Sequence, residues 1–470
     1  MRHNVLKSCT RLLCTVPRQH VPQVCIVGAG PAGFYAAQQL LKDSSDVIIN
    51  ILDKQPVPFG LIRYGVAPDH PEVKNVLNKF HKVATNPRVE FIGNVNVGRD
   101  IHISNLRRLY DAVLLTYGAQ EDRLLNVPGE NLNNVISARR FVGWYNGVPE
   151  DKDLKINLDV EEAVVIGQGN VAMDVARILL TPIDKLKDTD ITSYALEALS
   201  RSRVRKVSMV GRRGPLQAAF TTAELREIIK LEGCKTFWRE QDFENVETIL
   251  PTLARPRLRL TELMLKSLKE SKTDSVHAKE LHPIFLRGPV EFRGDNELRS
   301  VRFAVNRLRG ETVRDQVAET TGEFEEMPCG LALRSIGYKS VQIDEAIPFN
   351  AKKGCVRNTN GKVEGGCDVA PLYVAGWAAT GPTGVILTTM TNAFQVARLM
   401  YNELPSNGKG GGGRDGLRDA VETNASATVQ TVSYEDWLKI DRVERERGGQ
   451  LGKVREKVID VKEMLEIAAS

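Results

Sequence analysis

Two groups of glycines in this chain have the spacing of a phosphate cradle. Gly28, Gly30 and Gly33 follow the apolar run Val24-Cys25-Ile26-Val27 and precede the helical pattern that starts at Phe34. Gly167 and Gly169, with Ala172 in the third place, follow Ala163-Val164-Val165-Ile166 and precede Met173 to Leu180. In a strand, turn and helix of this kind the first glycine makes the tight turn. The second lets backbone amides approach a pyrophosphate, and the third lets the helix pack closely on the strand. The helix N-terminus then meets the negative charge with unpaired amides and its dipole. Gly28, Gly30, Ala32 and Gly33 are therefore one candidate set, and Gly167, Gln168, Gly169 and Asn170 a second.

The strand after each turn separates the two ligands. Asp53 stands at the end of the run Val47 to Leu52, twenty residues beyond Gly33, where a carboxylate accepts from a free ribose 2′-hydroxyl. The corresponding second strand, Val204 to Val210, ends instead in Gly211-Arg212-Arg213-Gly214, and a 2′-phosphate needs such positive charge. The first site thus fits FAD and the second NADP. A hydride donor beside a flavin is the arrangement that turns a two-electron hydride into single electrons, the work of a flavoprotein reductase. The seven cysteines form neither a CxxC pair nor a four-ligand cluster. A redox dithiol, a zinc ribbon and an iron–sulfur centre are therefore not built from local motifs, no metal site is expected, and the electrons must leave to another protein or a small molecule.

The elements that position these residues make the chain an α/β protein with two dinucleotide-binding domains. The strand Pro371 to Ala375, the turn Gly376 to Gly384 and a helix from Val385 to about Leu404 return late in the chain, so the FAD domain is discontinuous. The expected order is an FAD domain over 21–121, an NADP domain over 122–346 and the rest of the FAD domain over 347–470. The stretch Gly408 to Gly413 reads as a flexible loop. Tyr434 to Ala469 reads as charged helical segments, broken near Gly448, that pack on the surface of the FAD domain.

At 470 residues with 42% apolar and 26% charged content, the chain has ample core for two or three domains. No apolar run approaches the about 18 residues of a membrane-spanning helix. Of the formal charge of +5, Arg2, Lys7, Arg11 and Arg18 supply four units, which disfavours a globally basic nucleic-acid binder. Residues 1–20 hold basic and hydroxylated side chains with no acid before Asp43, the composition of a mitochondrial transit peptide.

The segments Pro58-Phe59-Gly60-Leu61-Ile62-Arg63-Tyr64-Gly65-Val66-Ala67-Pro68-Asp69-His70-Pro71, Gly167 to Leu180, Gly211 to Pro215 and Gly381-Pro382-Thr383-Gly384-Val385-Ile386 resemble the adrenodoxin reductase family of mitochondrial NADPH:ferredoxin reductases. The resemblance runs over nearly the whole chain after residue 20. It implies a glutathione-reductase-like fold, FAD as prosthetic group, NADPH as donor and an acidic two-iron, two-sulfur ferredoxin as acceptor. That acceptor would in turn feed haem-thiolate monooxygenases, including steroid hydroxylation, and iron–sulfur assembly. The location implied is the mitochondrial matrix, with at most peripheral contact with the inner membrane, and the chain is expected to act as a monomer.

Carried over residue by residue, the resemblance adds Leu61, Val97, Trp377, Gly384, Val385 and Ile386 to the FAD set. It adds Glu224 and Gly384 to the NADP set of Gly167 to Asn170, Arg212 and Arg213. The family usually has Glu where Asp53 stands, one methylene longer. Trp377 also reads as an ordinary core residue. His70 and Asp174 match a pair that the family places near the flavin and nicotinamide, either as a proton relay or electrostatic link or as a structural contact. Arg226, Arg255 and Arg259 match ferredoxin-binding arginines, and the last two share a face if their segment is helical; a solvated charged helix is the other reading. Two rival functions remain at this point. One is a reductase with a different acceptor, as in glutamate-synthase-like chains. The other is a non-catalytic FAD- and NADP-binding redox sensor.

Overall fold

A computed structural model describes residues 20–270, 277–365, 369–384, 386–405, 412–424 and 429–470. The expected transit segment up to residue 19, Val385 and most of the glycine loop after Pro405 lie outside the described residues.

Two sheets organise the chain. The first has seven strands in the order Asn358–Thr359, Lys362–Val363, Leu372–Val374, Ala112–Leu115, Gln23–Val27, Ile48–Leu52, Val89–Ile92. Its last five strands pair in parallel. These strands are short β-branched and leucine-rich runs because helices cover both faces, so neither side can alternate with polar residues. The helix Pro31–Asp43 starts on a proline, whose missing N–H costs nothing in a first turn. It packs against the long helix Ile386–Glu403 through an edge contact of Tyr35 on Phe394.

The second sheet has six strands in the order Val135–Ser137, Leu331–Arg334, Glu162–Ile166, Lys206–Val210, Lys279–Ile284, Cys234–Thr236. All of its pairings are parallel. The helix Asn170–Leu180 buries Met173, Val175, Ala176 and Ile178 against it. Between two of its strands the chain adds an antiparallel three-stranded sheet, Arg287–Gly294, Leu298–Arg309 and Val317–Pro328. The motifs did not foresee this addition, because an antiparallel excursion carries no nucleotide fingerprint.

The chain builds the first sheet up to Leu115, the second from Val135 to Arg334, and returns to the first at Asn358. The two crossings are joined, since Glu121–Asp122 pairs with Tyr338–Lys339 as a two-stranded ribbon.

The C-terminal segment is helical and breaks close to Gly448 as expected, but its packing partners differ from expectation. The helix Tyr434–Gln450 begins on a capping box of Ser433 and Asp436 and runs through Gly448, while the next helix, Val461–Ala469, begins at Asp460. The break therefore falls after Gln450. The tail does not rest on the first domain alone. Lys457 reaches Asp190 at 3.2 Å and Glu456 accepts from the Ser193 hydroxyl at 2.8 Å, while Lys453 donates to the Ile191 carbonyl and Lys152 pairs with Asp460. All four contacts are with the half that carries the second sheet. Sequence composition marked the tail as helical and charged, but its partners lie far away in the chain.

Candidate functional site

At the first glycine turn the backbone leaves a cleared space. Gly28 has φ +114°, and a side chain there would strike Thr116 backbone at 2.6 Å. A Cβ on Gly33 would meet the Gly28 carbonyl at 2.2 Å, so this turn closes tightly on its own helix. A Cβ on Gly30, in contrast, would meet nothing within 4 Å. The neighbouring segment is drawn onto the turn, with the Phe59 amide donating to the Ala29 carbonyl at 2.8 Å. Gly60 comes in behind it, where a Cβ would lie 3.1 Å from Gly30 Cα, and this puts Leu61, 43% exposed, at the mouth. Ala32 lies against Gly376, where a side chain would approach the Ala32 methyl to 2.7 Å and Thr389 to 3.7 Å. The turn before Trp377 and the first turns of Ile386–Glu403 thereby meet the same cradle. The Trp377 indole N–H is buried without a hydrogen-bond partner among the described residues.

Asp53 is tied more firmly than its motif suggests. One carboxylate oxygen accepts from the Ala29 amide at 2.7 Å and the other from the Gln55 amide at 2.9 Å. Burial pushes its pKa up, and these two amides partly offset that. Each oxygen keeps a further lone pair. Val95 donates its amide to the Asp53 carbonyl at 2.9 Å, and Val97 is buried two residues on.

The second turn repeats the pattern. Gly167 has φ +142° and no room for a side chain beside the Ser335 carbonyl, whereas a Cβ on Gly169 would again meet nothing within 4 Å. Gln168 and Asn170 brace the turn: the Ala219 amide donates to the Gln168 carbonyl at 2.8 Å and the Thr221 amide to the Asn170 side chain at 2.9 Å. Arg212 and Arg213 are exposed, and neither pairs with a carboxylate among the described residues.

The helix that follows the second turn carries Arg177, a guanidinium whose side chain is 2% exposed and which is the centre of a charged cluster. Arg177 binds Asp69 through two hydrogen bonds of 2.7 and 2.9 Å, Asp174 at 2.8 Å, Glu224 at 3.4 Å and Glu227 at 3.6 Å. One cation faces four carboxylates, and the pKa directions follow. Asp69 is held low by Arg177 despite its burial. Asp174 is pushed up by burial. Burial and the neighbouring Asp174 push Glu224 up to about 7. His70 joins this cluster, but its hydrogen bond goes to Glu227 at 2.9 Å; with Asp174 and Glu224 it shares only a space in which the polar atoms lie within 4.8 Å of one another. His70 and Asp69 come from the part of the chain that builds the first sheet and the others from the part that builds the second, so the cluster sits where the two parts meet.

Residues 22–232 match the family model described as pyridine nucleotide-disulphide oxidoreductase. The chain is 48% identical to the mitochondrial NADPH:adrenodoxin oxidoreductase of Drosophila melanogaster, covering 99% of this chain and 98% of that protein. It is 47% identical to the protein of the same name from Homo sapiens, covering 96% and 92%. The chain belongs to the NADPH:adrenodoxin oxidoreductase family. The structure of Mycobacterium tuberculosis FprA in complex with NADPH superposes with a TM-score of 0.89 at 35% identity, covering 96% of this chain and all of that one. The chain is thus a flavoprotein oxidoreductase on an α/β scaffold, and it is similar to relatives named as mitochondrial in animals, plants and yeast.

For a member of this family the remaining expected residues fall in three places. Gly384, at φ +82°, and Ile386 lie at the start of the long helix over the first cradle, while Val385 lies outside the described residues. Arg255 and Arg259 lie on one helix, Arg255–Glu270, and Arg226 on the adjoining helix Thr222–Ile229; all three are exposed. The sequence reading missed Arg177, Asp69 and Glu227. A signal was present, because Arg177 interrupts the otherwise apolar run Val175-Ala176-Ile178-Leu179, and a cation in such a run needs a buried counter-charge.

Proposed function

We propose that this chain takes a hydride from NADPH onto FAD and passes single electrons to an acidic two-iron, two-sulfur ferredoxin of the adrenodoxin type. The observation that carries the reading is the contrast between the two strand ends. Asp53 is locked beside a glycine turn with open space at Gly30, whereas Arg212 and Arg213 stand exposed beside a turn with open space at Gly169.

On this reading Gly28, Gly30, Ala32, Gly33, Asp53, Leu61, Val97, Trp377, Gly384, Val385 and Ile386 hold FAD. The open space at Gly30 and the unpartnered Trp377 N–H are features that suit such a group. Gly167, Gln168, Gly169, Asn170, Arg212, Arg213, Glu224 and Gly384 hold NADPH. When bound, FAD supplies the change from two-electron to one-electron transfer. The protein orients the two nucleotides and excludes water between them. Asp174 and His70 set the charge, and Glu224, with a pKa near 7, holds or yields a proton at its carboxylate under working conditions. The exposed Arg226, Arg255 and Arg259 meet the acidic ferredoxin, and such complementarity acts mainly on the rate of encounter. The destination of the electrons is proposed to be haem-thiolate monooxygenases, as in steroid hydroxylation, and iron–sulfur assembly. The proposed site of action is the mitochondrial matrix, at most peripheral to the inner membrane, with the protein as a monomer.

The test is NADPH-driven cytochrome c reduction by the purified flavoprotein with and without a mitochondrial-type ferredoxin, at low and high salt. A large stimulation that falls with salt supports the reading. Bleaching of the flavin by NADPH without any ferredoxin effect removes the partner.

A further inference from the structure

The turn that carries Arg212 and Arg213 is held from outside the nucleotide fold. Three consecutive carbonyls each accept one hydrogen bond: Gly211 from the Arg287 amide at 2.9 Å, Arg212 from the Asn306 carboxamide at 3.1 Å, and Arg213 from the Leu286 amide at 3.0 Å. The Asn306 amide closes the set by donating to the Leu286 carbonyl at 2.8 Å. Every donor lies at or next to the three-stranded antiparallel sheet that interrupts the second half.

Three local departures from regular structure converge on these bonds. Leu286 has φ +55°, the left-handed region that a branched apolar side chain rarely occupies. The ladder between Leu298–Arg309 and Val317–Pro328 slips between Ala304 and Asn306, and a bulge of this kind re-aims the side chains beside it. Gly288 lies under the Asn306 carboxamide, where a Cβ would sit 3.2 Å from its nitrogen and 3.9 Å from the Arg212 Cβ. A strained residue, a slipped register and a missing side chain are each unfavourable alone, and such departures persist where the surroundings over-determine them.

We infer that Asn306 and Leu286 are positioning residues for the arginine pair, and that the antiparallel sheet is a brace that sets preference for a 2′-phosphorylated nicotinamide nucleotide. The inference rests on the proposed role of Arg212 and Arg213. Both arginine side chains are long and exposed, so without a fixed backbone they would lose much of their affinity to ordering on ligand binding. Holding the two carbonyls fixes the directions in which the side chains leave the turn. Asn306 and Leu286 bond to the Arg212 and Arg213 carbonyls and not to the glycine turn at Gly167, so the loss of these bonds bears on the phosphate and not on the rest of the dinucleotide.

The experiment compares KM for NADPH and for NADH, with ferricyanide as acceptor so that no ferredoxin is involved, using the flavin-loaded wild type, Asn306→Ala, Leu286→Gly and Arg212→Ala. Equilibrium titration with 2′,5′-ADP and with 5′-ADP gives the same comparison without turnover. Asn306→Ala is expected to raise the NADPH KM about threefold to tenfold, the size of one lost hydrogen bond. The NADH KM is expected to change by less than about twofold. Leu286→Gly, which adopts a positive φ freely, is expected to keep the wild-type ratio. A ratio unchanged in Asn306→Ala but collapsed in Arg212→Ala refutes the brace and leaves the NADP site standing. A ratio unchanged in Arg212→Ala refutes the assignment of the arginines, and the brace with it. If Asn306→Ala is recovered without flavin, Asn306→Leu, which keeps the side-chain volume and removes the donor, carries the same comparison, and an unaltered ratio in it with a collapsed one in Arg212→Ala again refutes the brace.

Discussion

Arg63 and Glu444, 381 residues apart in the chain, form a two-pronged ion pair in which the side chains are 4% and 0% exposed. Glu444 also accepts from Arg455 at 2.5 Å and from the Val458 amide at 3.0 Å. The carboxylate is held low by the two guanidinium groups in spite of its burial. Arg63 lies two residues after Leu61, in the segment folded onto the first glycine turn, so a C-terminal helix anchors the rim of that cradle.

Removing this carboxylate leaves the buried Arg63 without an acidic partner among the described residues, whereas Arg455 keeps Asp441 at 2.6 Å. Glu444→Ala is expected to destabilise the holoprotein by about 3–5 kcal/mol. A fall in the urea midpoint, together with flavin release at a lower temperature, is the measurement. A midpoint equal to that of the wild type would show that the pair does not hold the rim.

The two glycines of the first turn predict different failures. Gly33→Ala drives a methyl into the Gly28 carbonyl, which a Cβ would meet at 2.2 Å, and overpacking against backbone costs about 1–3 kcal/mol or more. At Gly30 a Cβ would meet nothing within 4 Å, so Gly30→Ala is expected to fold yet to retain less flavin. The flavin-to-protein absorbance ratio and the unfolding midpoint of each variant separate the two outcomes.

Glu224 gives the site a pH dependence of definite sign. Its carboxyl is pushed up to about 7 by burial and Asp174, from an ordinary value of about 4.3. The folded state therefore holds the proton more tightly than the unfolded state. Stability from this group is fully present below the ordinary value and is lost as pH rises through about 7. With the partial exposure of the side chain, the loss is about 1 kcal/mol. Glu224→Gln should flatten this slope, so that the stability lost between acidic and mildly alkaline buffer is smaller than in the wild type; an unaltered slope in urea titrations would assign it to another group.

Charge reversal on the exposed helix tests the docking face. Arg255→Glu with Arg259→Glu is expected to raise the KM for an acidic ferredoxin by about tenfold at low salt and to reduce the salt sensitivity of turnover. Stopped-flow reduction of ferredoxin at several ionic strengths reads both effects.

The glycine turns, their strands and the contrast of Asp53 with Arg212 and Arg213 were legible in sequence because each depends on neighbours within about twenty residues. Phosphate binding imposes local rules of spacing, and local rules survive in a linear string. The Asp53 side chain shows the limit. Its motif indicated a ribose acceptor, but its first hydrogen bonds are to the Ala29 and Gln55 amides, the second being a local turn of the kind short acids make. The Arg177 cluster joins residues 69, 174, 177, 224 and 227, and the tail contacts span 260 residues or more. Such meetings are set by how the two sheets pack, which no spacing rule encodes. The antiparallel brace escaped notice because its alternating polar strands resemble any surface sheet.

The tail also dictates an order of events. Chains emerge from the N-terminus, and domains fold largely as they appear. Both glycine turns and both large sheets are complete once residue 374 has been made. Yet Ser193 waits for Glu456 and Arg63 for Glu444, and Asp190, paired with Lys74 at 2.6 Å, gains Lys457 only then. A nascent chain halted before residue 444 therefore already has its two halves joined through Asp69 and Arg177 and through Lys74 and Asp190, and completion of synthesis adds a second set of fastenings from the tail.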